Sequence, residues 1–243
     1  MKKSEMPLNK VSILSTGALP GYLIEEAEEN NLALDVIPFI QTEPIQTVEV
    51  QQEIEQAILQ TATVVFTSRN AVEAVAAELE GKEPDPMDIE WNIYCVGEKT
   101  KELIGDYFGE DKIYGSADSA EELAELIVEE ELADEVIFFC GDQRRDELPE
   151  ILRSHEIEVN EIVVYQTIAI PQKISKQYEG ILFFSPSAVD GFFKVNKVND
   201  KTIFFAIGNT TSNAIKKFSS NKIIISKIAD KEHMIREVAN YFS

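Results

Sequence analysis

Glu161 to Pro171 reads EIVVYQTIAIP, a run of β-branched and aromatic residues closed by a proline that cannot extend a central strand. It predicts a strand running out into an extended connector. A second copy lies near the start: Asp35 to Thr42, DVIPFIQT, aligns without gaps to Asn160 to Thr167, NEIVVYQT, at an offset of 125 residues. Both end in Gln-Thr. Carried backwards, the same offset sets SILSTGALPGYLIEEAEENNLAL (from Ser12) on IFFCGDQRRDELPEILRSHEIEV (from Ile137), each a strand, a turn with glycine and an amphipathic helix.

The chain repeats again after each copy. VVFTSRNAVEAV (from Val64) resembles LFFSPSAVDGFF (from Leu182), with Ser68 opposite Ser185. IYCVGEKTKELI (from Ile93) matches FAIGNTTSNAI with Gly97 opposite Gly208, and IYGSADSAEELAELI (from Ile113) matches IISKIADKEHMIREV. A half-chain repeat means two similar domains and not a solenoid. One half is continuous, whereas its partner can be completed only by strands from the N-terminal region.

The sequence therefore predicts a discontinuous α/β domain from residues 1–37 plus 173–243. A second domain, 48–165, is inserted between connectors 38–47 and 166–172, which are expected to pair as a two-stranded β linker. Short apolar strands alternating with amphipathic helices imply parallel sheets covered on both faces, two flavodoxin-like three-layer sandwiches. Gly81 to Met87, GKEPDPM, is the clearest loop.

Charge separates the two halves. The chain carries −22 overall, but residues 38–172 hold 8 Lys+Arg against 32 Asp+Glu, and the remainder holds 14 against 12. The acidity sits in the inserted part, mostly on helix faces such as Glu121-Glu122-Glu125 and Glu129-Glu130-Glu131, read as solvated. Such a balance argues against nucleic acid or an anionic membrane surface as partner. No apolar run approaches the roughly 18 residues of a membrane span, and MKKSEMPLNK lacks the apolar core of a secretory signal, so a cytoplasmic protein is expected. Cys95, Cys140, His155 and His233 do not make a standard structural zinc site, and both thiols read as buried and inert.

In parallel α/β sheets ligands bind beyond the carboxyl ends of the strands. Those ends carry Thr67-Ser68, Val96-Gly97-Glu98-Lys99-Thr100, Cys140-Gly141-Asp142, Ser185-Pro186-Ser187 and Gly208-Asn209-Thr210-Thr211. Backbone N–H groups, hydroxyls and the positive end of a helix suit each turn to a carboxylate or phosphate; simple N-capping uses the same residues. There is no Walker loop, GxGxxG fingerprint or GxSxG elbow. The acid–base candidate is Tyr165, whose phenol stays protonated at neutral pH and can donate; packing at a domain junction is the plainer reading.

FTSRNAVEAV, YCVGEKTKELI, VVYQT, FFSPSAVDGFF and AIGNTTSNAI, in this order, resemble the uroporphyrinogen-III synthase family over about residues 10 to 240. The resemblance implies two flavodoxin-like domains, one interrupting the other, joined by a β ladder. It also implies a lyase that closes hydroxymethylbilane, a linear tetrapyrrole with eight carboxylates, losing water and inverting the last pyrrole through a spiro intermediate, without metal or cofactor. The work would be mainly substrate positioning in a cleft between domains. By position, Tyr165 matches the tyrosine proposed to assist departure of the hydroxyl. Thr67, Ser68, Gly97, Thr100, Ser185, Ser187, Gly208, Thr210 and Thr211 match substrate-lining turns, to which Arg69 and Gly141 are added. A monomer with transient contact to hydroxymethylbilane synthase is expected. Family members commonly carry an Arg in the turn after the first strand; Ser15-Thr16-Gly17-Ala18 has none, and Arg69 and Asn70 are candidates to compensate. A non-catalytic binding module for a small polyanion, or an inactive paralogue, is the alternative.

Overall fold

The computed structural model describes residues 10–81, 84–130 and 134–243. The chain begins with β1 (Val11–Ser15), α1 (Gly21–Glu29), β2 (Leu32–Val36), β3 (Ile40–Pro44), α2 (Val48–Ile58), β4 (Ala62–Phe66) and α3 (Arg69–Leu79). It continues with β5 (Trp91–Val96), α4 (Glu98–Phe108), β6 (Ile113–Ala117), α5 (Ala120–Glu130), β7 (Glu135–Gly141), α6 (Glu147–Ser154) and β8 (Glu158–Ala169). The last elements are β9 (Gly180–Phe183), α7 (Pro186–Phe193), β10 (Ile203–Ala206), α8 (Asn209–Lys216), β11 (Ile223–Ile225) and α9 (Lys231–Phe242). They form two compact units, one from the chain up to Gln41 with Ile168–Ser243, the other from Thr42–Thr167.

In the terminal unit the sheet order is β2-β1-β9-β10-β11, all in parallel register. Counted within the unit this is second, first, third, fourth, fifth, the flavodoxin-like order. The continuous unit runs β8-β7-β4-β5-β6, parallel throughout, with β3 added beside β8. Taking β7 and β8 as first and second restores the same order. The fold is thus the expected one, α/β with mostly parallel sheets, and the second copy is a permutation of the first. Ile45 N–H donates to Val164 C=O and Ile170 N–H to Phe39 C=O, each at 2.9 Å, so the segments around β3 and β8 pair while running in opposite directions.

Why these residues form these layers is plainest in β4. Val64 and Phe66 point to one core and Val65 to the other, the period-two alternation of a strand buried on both faces. One core of the continuous unit is built on rings: Phe66 and Phe139 stack at 5.4 Å, and Trp91 meets Phe108 at 5.5 Å. Such pairs contribute roughly 0.5–1.5 kcal/mol each beyond their buried area. The Trp91 indole N–H, which burial would otherwise leave unsatisfied, donates to Ala57 C=O at 2.9 Å.

Two features depart from the sequence reading. The gapless offset does not survive in the pairing: Val11 stands opposite Leu32 in the terminal unit, whereas Val136 stands opposite Val159 in the other. From a strand to its paired neighbour, the β7–β8 connection spans two residues more than the β1–β2 connection, so sequence and register alignments separate there. Second, the turn after β7 does not lead directly into a helix, since α6 begins only at Glu147. Of the acidic faces, Glu121, Glu122, Glu125, Glu129 and Glu130 are exposed. Glu131, the Lys82-Glu83 part of the Gly81 to Met87 loop, and residues 1–9 of the N-terminal stretch lie outside the described residues. Among the described residues, no helix is long and apolar enough to cross a membrane.

Candidate functional site

In a doubly wound sheet the crevice opens where the connections diverge, between the first and third strands of the winding order. In the continuous unit those strands are β7 and β4, and Tyr165 is brought to their carboxyl ends by an irregularity. The β7–β8 register shifts between Cys140, opposite Val163, and Gly141, opposite Tyr165. This bulge breaks the alternation: Ile162 and Val164 face the core that contains Phe66, and Val163 faces the other. Tyr165 then packs against the same core as Val164. Bulges re-aim side chains in this way.

The ring then lies directly over Gly141. A Cβ built there would sit 2.4 Å from Tyr165 Cζ and 2.7 Å from Oη, so only glycine permits the approach. Asp142 holds the strand from the other side, its N–H donating to Tyr165 C=O at 3.1 Å and its Oδ1 accepting the Thr167 N–H at 2.8 Å. Tyr165 Oη reaches Ser68 Oγ at 3.3 Å. Ser68 is in turn the N-cap of α3, accepting the Asn70 N–H at 3.2 Å.

Tyr165, Ser68 and Gly141 line a cavity of about 370 Å³, together with Thr67, Arg144 and Arg145. Arg144 pairs with Glu161, and with Asp146 at 2.7 Å; Arg153 binds the other oxygen of Glu161 at 2.7 Å. Arg145 is largely exposed and only 4.0 Å from Glu147. Burial pushes the Cys140 and Cys95 thiols up to about 11, which keeps both protonated and unreactive at neutral pH. The cavity therefore combines hydroxyl donors and a helix start with Arg144 and Arg145 and with the carboxylates of Asp118 and Glu147, without an activated nucleophile.

The expected site residues fall into groups. Tyr165, Thr67, Ser68 and Gly141 meet at the one cavity. Arg69 opens α3 but is exposed and is not among the residues lining that cavity. Gly97, at φ +81, starts α4, and Thr100 is buried in that helix with its N–H on Gly97 C=O at 3.1 Å. In the terminal unit Ser185 caps α7, its Oγ accepting the Ala188 N–H at 3.1 Å, and Ser187 follows in the first turn. Gly208 precedes α8 with open space around it, Thr210 is exposed and Thr211 is buried. The Arg144-Arg145 pair escaped the sequence reading. Its signal was present as two adjacent cations directly after a strand in the acidic half of the chain.

Two flavodoxin-like sheets, one permuted and carrying a polar crevice at its switch point, define a two-unit α/β protein. The model of the uroporphyrinogen-III synthase HemD family matches residues 22–236. The chain belongs to the uroporphyrinogen-III synthase family, and so to the enzymes of heme biosynthesis, which act on a small-molecule substrate. A uroporphyrinogen-III synthase of Chlorobaculum parvum is 22% identical over 231 residues, covering 89% of this chain and 92% of that protein. Among solved structures, uroporphyrinogen-III synthetase from Helicobacter pylori superposes with a TM-score of 0.64 at 17% identity, covering 96% of this chain and all of that one. A mutant uroporphyrinogen III synthase from Thermus thermophilus gives 0.58 at 12% identity, again over 96% of this chain and all of the other. At such identities these two speak for the fold alone.

Proposed function

We propose that the protein closes hydroxymethylbilane to uroporphyrinogen III as a hydro-lyase, with inversion of the terminal pyrrole through a spiro intermediate and with no metal or cofactor. The observation that carries this reading is the cavity at the β7–β4 switch point, where Tyr165 Oη and Ser68 Oγ meet beside two arginines. Its volume of about 370 Å³ suits one substituted pyrrole and not four, and the Tyr165 hydroxyl at its edge is the reason for assigning to it the end of the bilane that bears the hydroxymethyl group.

There Tyr165 donates its proton to the departing hydroxyl, and Arg144 and Arg145 meet acetate or propionate groups. The pairs from Arg144 to Glu161 and Asp146 hold its guanidinium in place before the ligand arrives. Gly97, Ser185, Ser187, Gly208, Thr210 and the start of α3 offer N–H groups and hydroxyls to further carboxylates, each favourable charge worth about 0.3–1 kcal/mol at a helix start. Thr100 and Thr211 act from within the fold, shaping their turns. A chemically labile substrate needs little more than this, because holding it in one geometry accounts for most of the acceleration. Arg69 remains a proposed contact from the rim of its turn. We place the protein in the cytoplasm as a monomer that meets hydroxymethylbilane synthase transiently.

The test is to incubate purified protein with hydroxymethylbilane, oxidise the product and separate the isomers by chromatography. Predominant type III isomer is expected. Type I alone at the spontaneous rate would overturn the proposal and leave a binder of small polyanions.

A further inference from the structure

Ser68 occupies two hydrogen bonds at once. Its Oγ accepts the Asn70 N–H at 3.2 Å, at the start of α3, and stands 3.3 Å from Tyr165 Oη. A hydroxyl has one proton to give and two lone pairs to receive. With one lone pair taken by the helix, the two hydroxyls share a single hydrogen bond and keep one proton for the cavity. If Tyr165 donates to Ser68, the phenolic proton is turned away from the ligand. If Ser68 donates to Tyr165, the phenolic proton is released towards it.

As placed, Tyr165 donates to Ser68; a ligand group that accepts the phenolic proton would favour the second state. The Asn70 N–H comes from the positive end of α3 and polarises Ser68 Oγ, which makes its own O–H a better donor. The bulge and the glycine together let the ring lie against the cavity floor, since a Cβ on Gly141 would stand 2.4 Å from it. The terminal unit provides the contrast: Ser185 also caps a helix at the corresponding turn, accepting from the residue three on, and among the described residues no hydrogen bond from its side chain to a tyrosine accompanies it.

We propose that Ser68 is a positioning residue for Tyr165, turning the phenolic proton towards the leaving hydroxyl and holding the phenolate that remains. This rests on the reading of Tyr165 as the proton donor. As the C–O bond breaks, its electron pair leaves with the hydroxyl, which takes the Tyr165 proton and departs as water. The Ser68 O–H then stabilises the phenolate. The terminal pyrrole attacks the exposed methylene carbon, and after the spiro rearrangement the newly bonded ring carbon loses its proton, which returns to the phenolate. The net change is ring closure and loss of one water.

The test compares full-length wild type, Ser68→Ala, Ser68→Gly, Ser68→Thr, Tyr165→Phe and the Ser68→Ala/Tyr165→Phe double variant with hydroxymethylbilane, measuring kcat and KM for type III isomer. Ser68→Ala is expected to lower kcat about fivefold to tenfold, with KM within about twofold, as for one lost hydrogen bond made in the transition state. Ser68→Gly leaves the helix start nearly as stable as wild type and should show the same kcat loss, and Ser68→Thr should restore the rate. Adding Ser68→Ala to Tyr165→Phe should cost nothing further. Multiplying losses in the double variant, or a change in KM alone, would overturn the role given to Ser68 while leaving the proposed function in place. Type I isomer alone from wild type would overturn both.

Discussion

The two units have one fold but furnish its switch point differently. Their sheets share the flavodoxin-like order, yet the continuous unit, residues 42–167, holds 8 Lys+Arg against 32 Asp+Glu, and the terminal unit 14 against 12. Their switch points differ more than their charges. Between β7 and β4 a glycine, a bulge and a capping serine hold a tyrosine at the edge of an open cavity. Between β1 and β9 the turn is instead tied to its neighbours. Thr16 Oγ1 donates to Leu182 C=O at 2.7 Å, and a Cβ on Gly17 would come within 2.9 Å of the Phe184 ring. Lys231, from the start of α9, donates to Ala18 C=O at 2.9 Å with its ammonium 5.5 Å from the same ring. Neither Ile40, which sequence alignment sets against Tyr165, nor Pro38, near its place by register, has a hydroxyl. On the same scaffold, a β7–β8 connection two residues longer in register, with a bulge at its end, sets a tyrosine beside one switch point.

Substitution at the two floor glycines probes this contrast most strongly. Gly141→Ala should lower type III formation about a hundredfold, because it lifts Tyr165 by the order of an ångström. Gly17→Ala should act on stability alone, by about 1–3 kcal/mol in denaturant unfolding, with kcat retained. Equal kinetic effects would mean that the two switch points are equivalent after all.

Charge reversal comes next. Arg145→Glu should raise KM about twofold to fivefold, the range of an exposed ion pair, and the difference from wild type should shrink with added salt. Loss of a cap should be milder still: Ser185→Ala is expected to cost about 1 kcal/mol of stability. Its kcat should change less than that of Ser68→Ala, since no tyrosine depends on it.

The smallest effect is alkaline. Both cysteines lie in the continuous unit, and each folded thiol sits near 11 against a reference value of 9.0, with burial as the main cause. A raised folded value stabilises below the unfolded one, so this contribution is complete under about pH 9 and is lost towards about pH 11. Cys140→Ala should flatten that decline in unfolding curves without altering turnover at neutral pH.

Much of the fold was legible because buried parallel strands leave short apolar runs that no other element imitates. ATVVF before Ser68 and VIFFC before Gly141 could hardly be anything else. Four of the helix-entry turns were legible for a related reason, as Ser, Thr and Gly at strand ends both cap helices and expose donors. What the string of letters concealed was register. A bulge has no residue of its own, so nothing in EIVVYQT announces that Tyr165 and Val164 share a face. The role of Gly141 was hidden likewise, since a close approach is a property of two strands together. Arg144 and Arg145 were overlooked because the turn after β7 was taken to enter a helix at once, whereas α6 starts only at Glu147.

The most direct measurement is the single-turnover rate of type III isomer formation by Tyr165→Phe against wild type, with both shown to unfold at the same midpoint. A loss of about tenfold to a hundredfold is expected, the low end of general acid catalysis, since the substrate can lose its hydroxyl unaided. An unchanged rate and isomer ratio would remove the phenol from the chemistry and contradict the assignment of the reaction to the β7–β4 switch point.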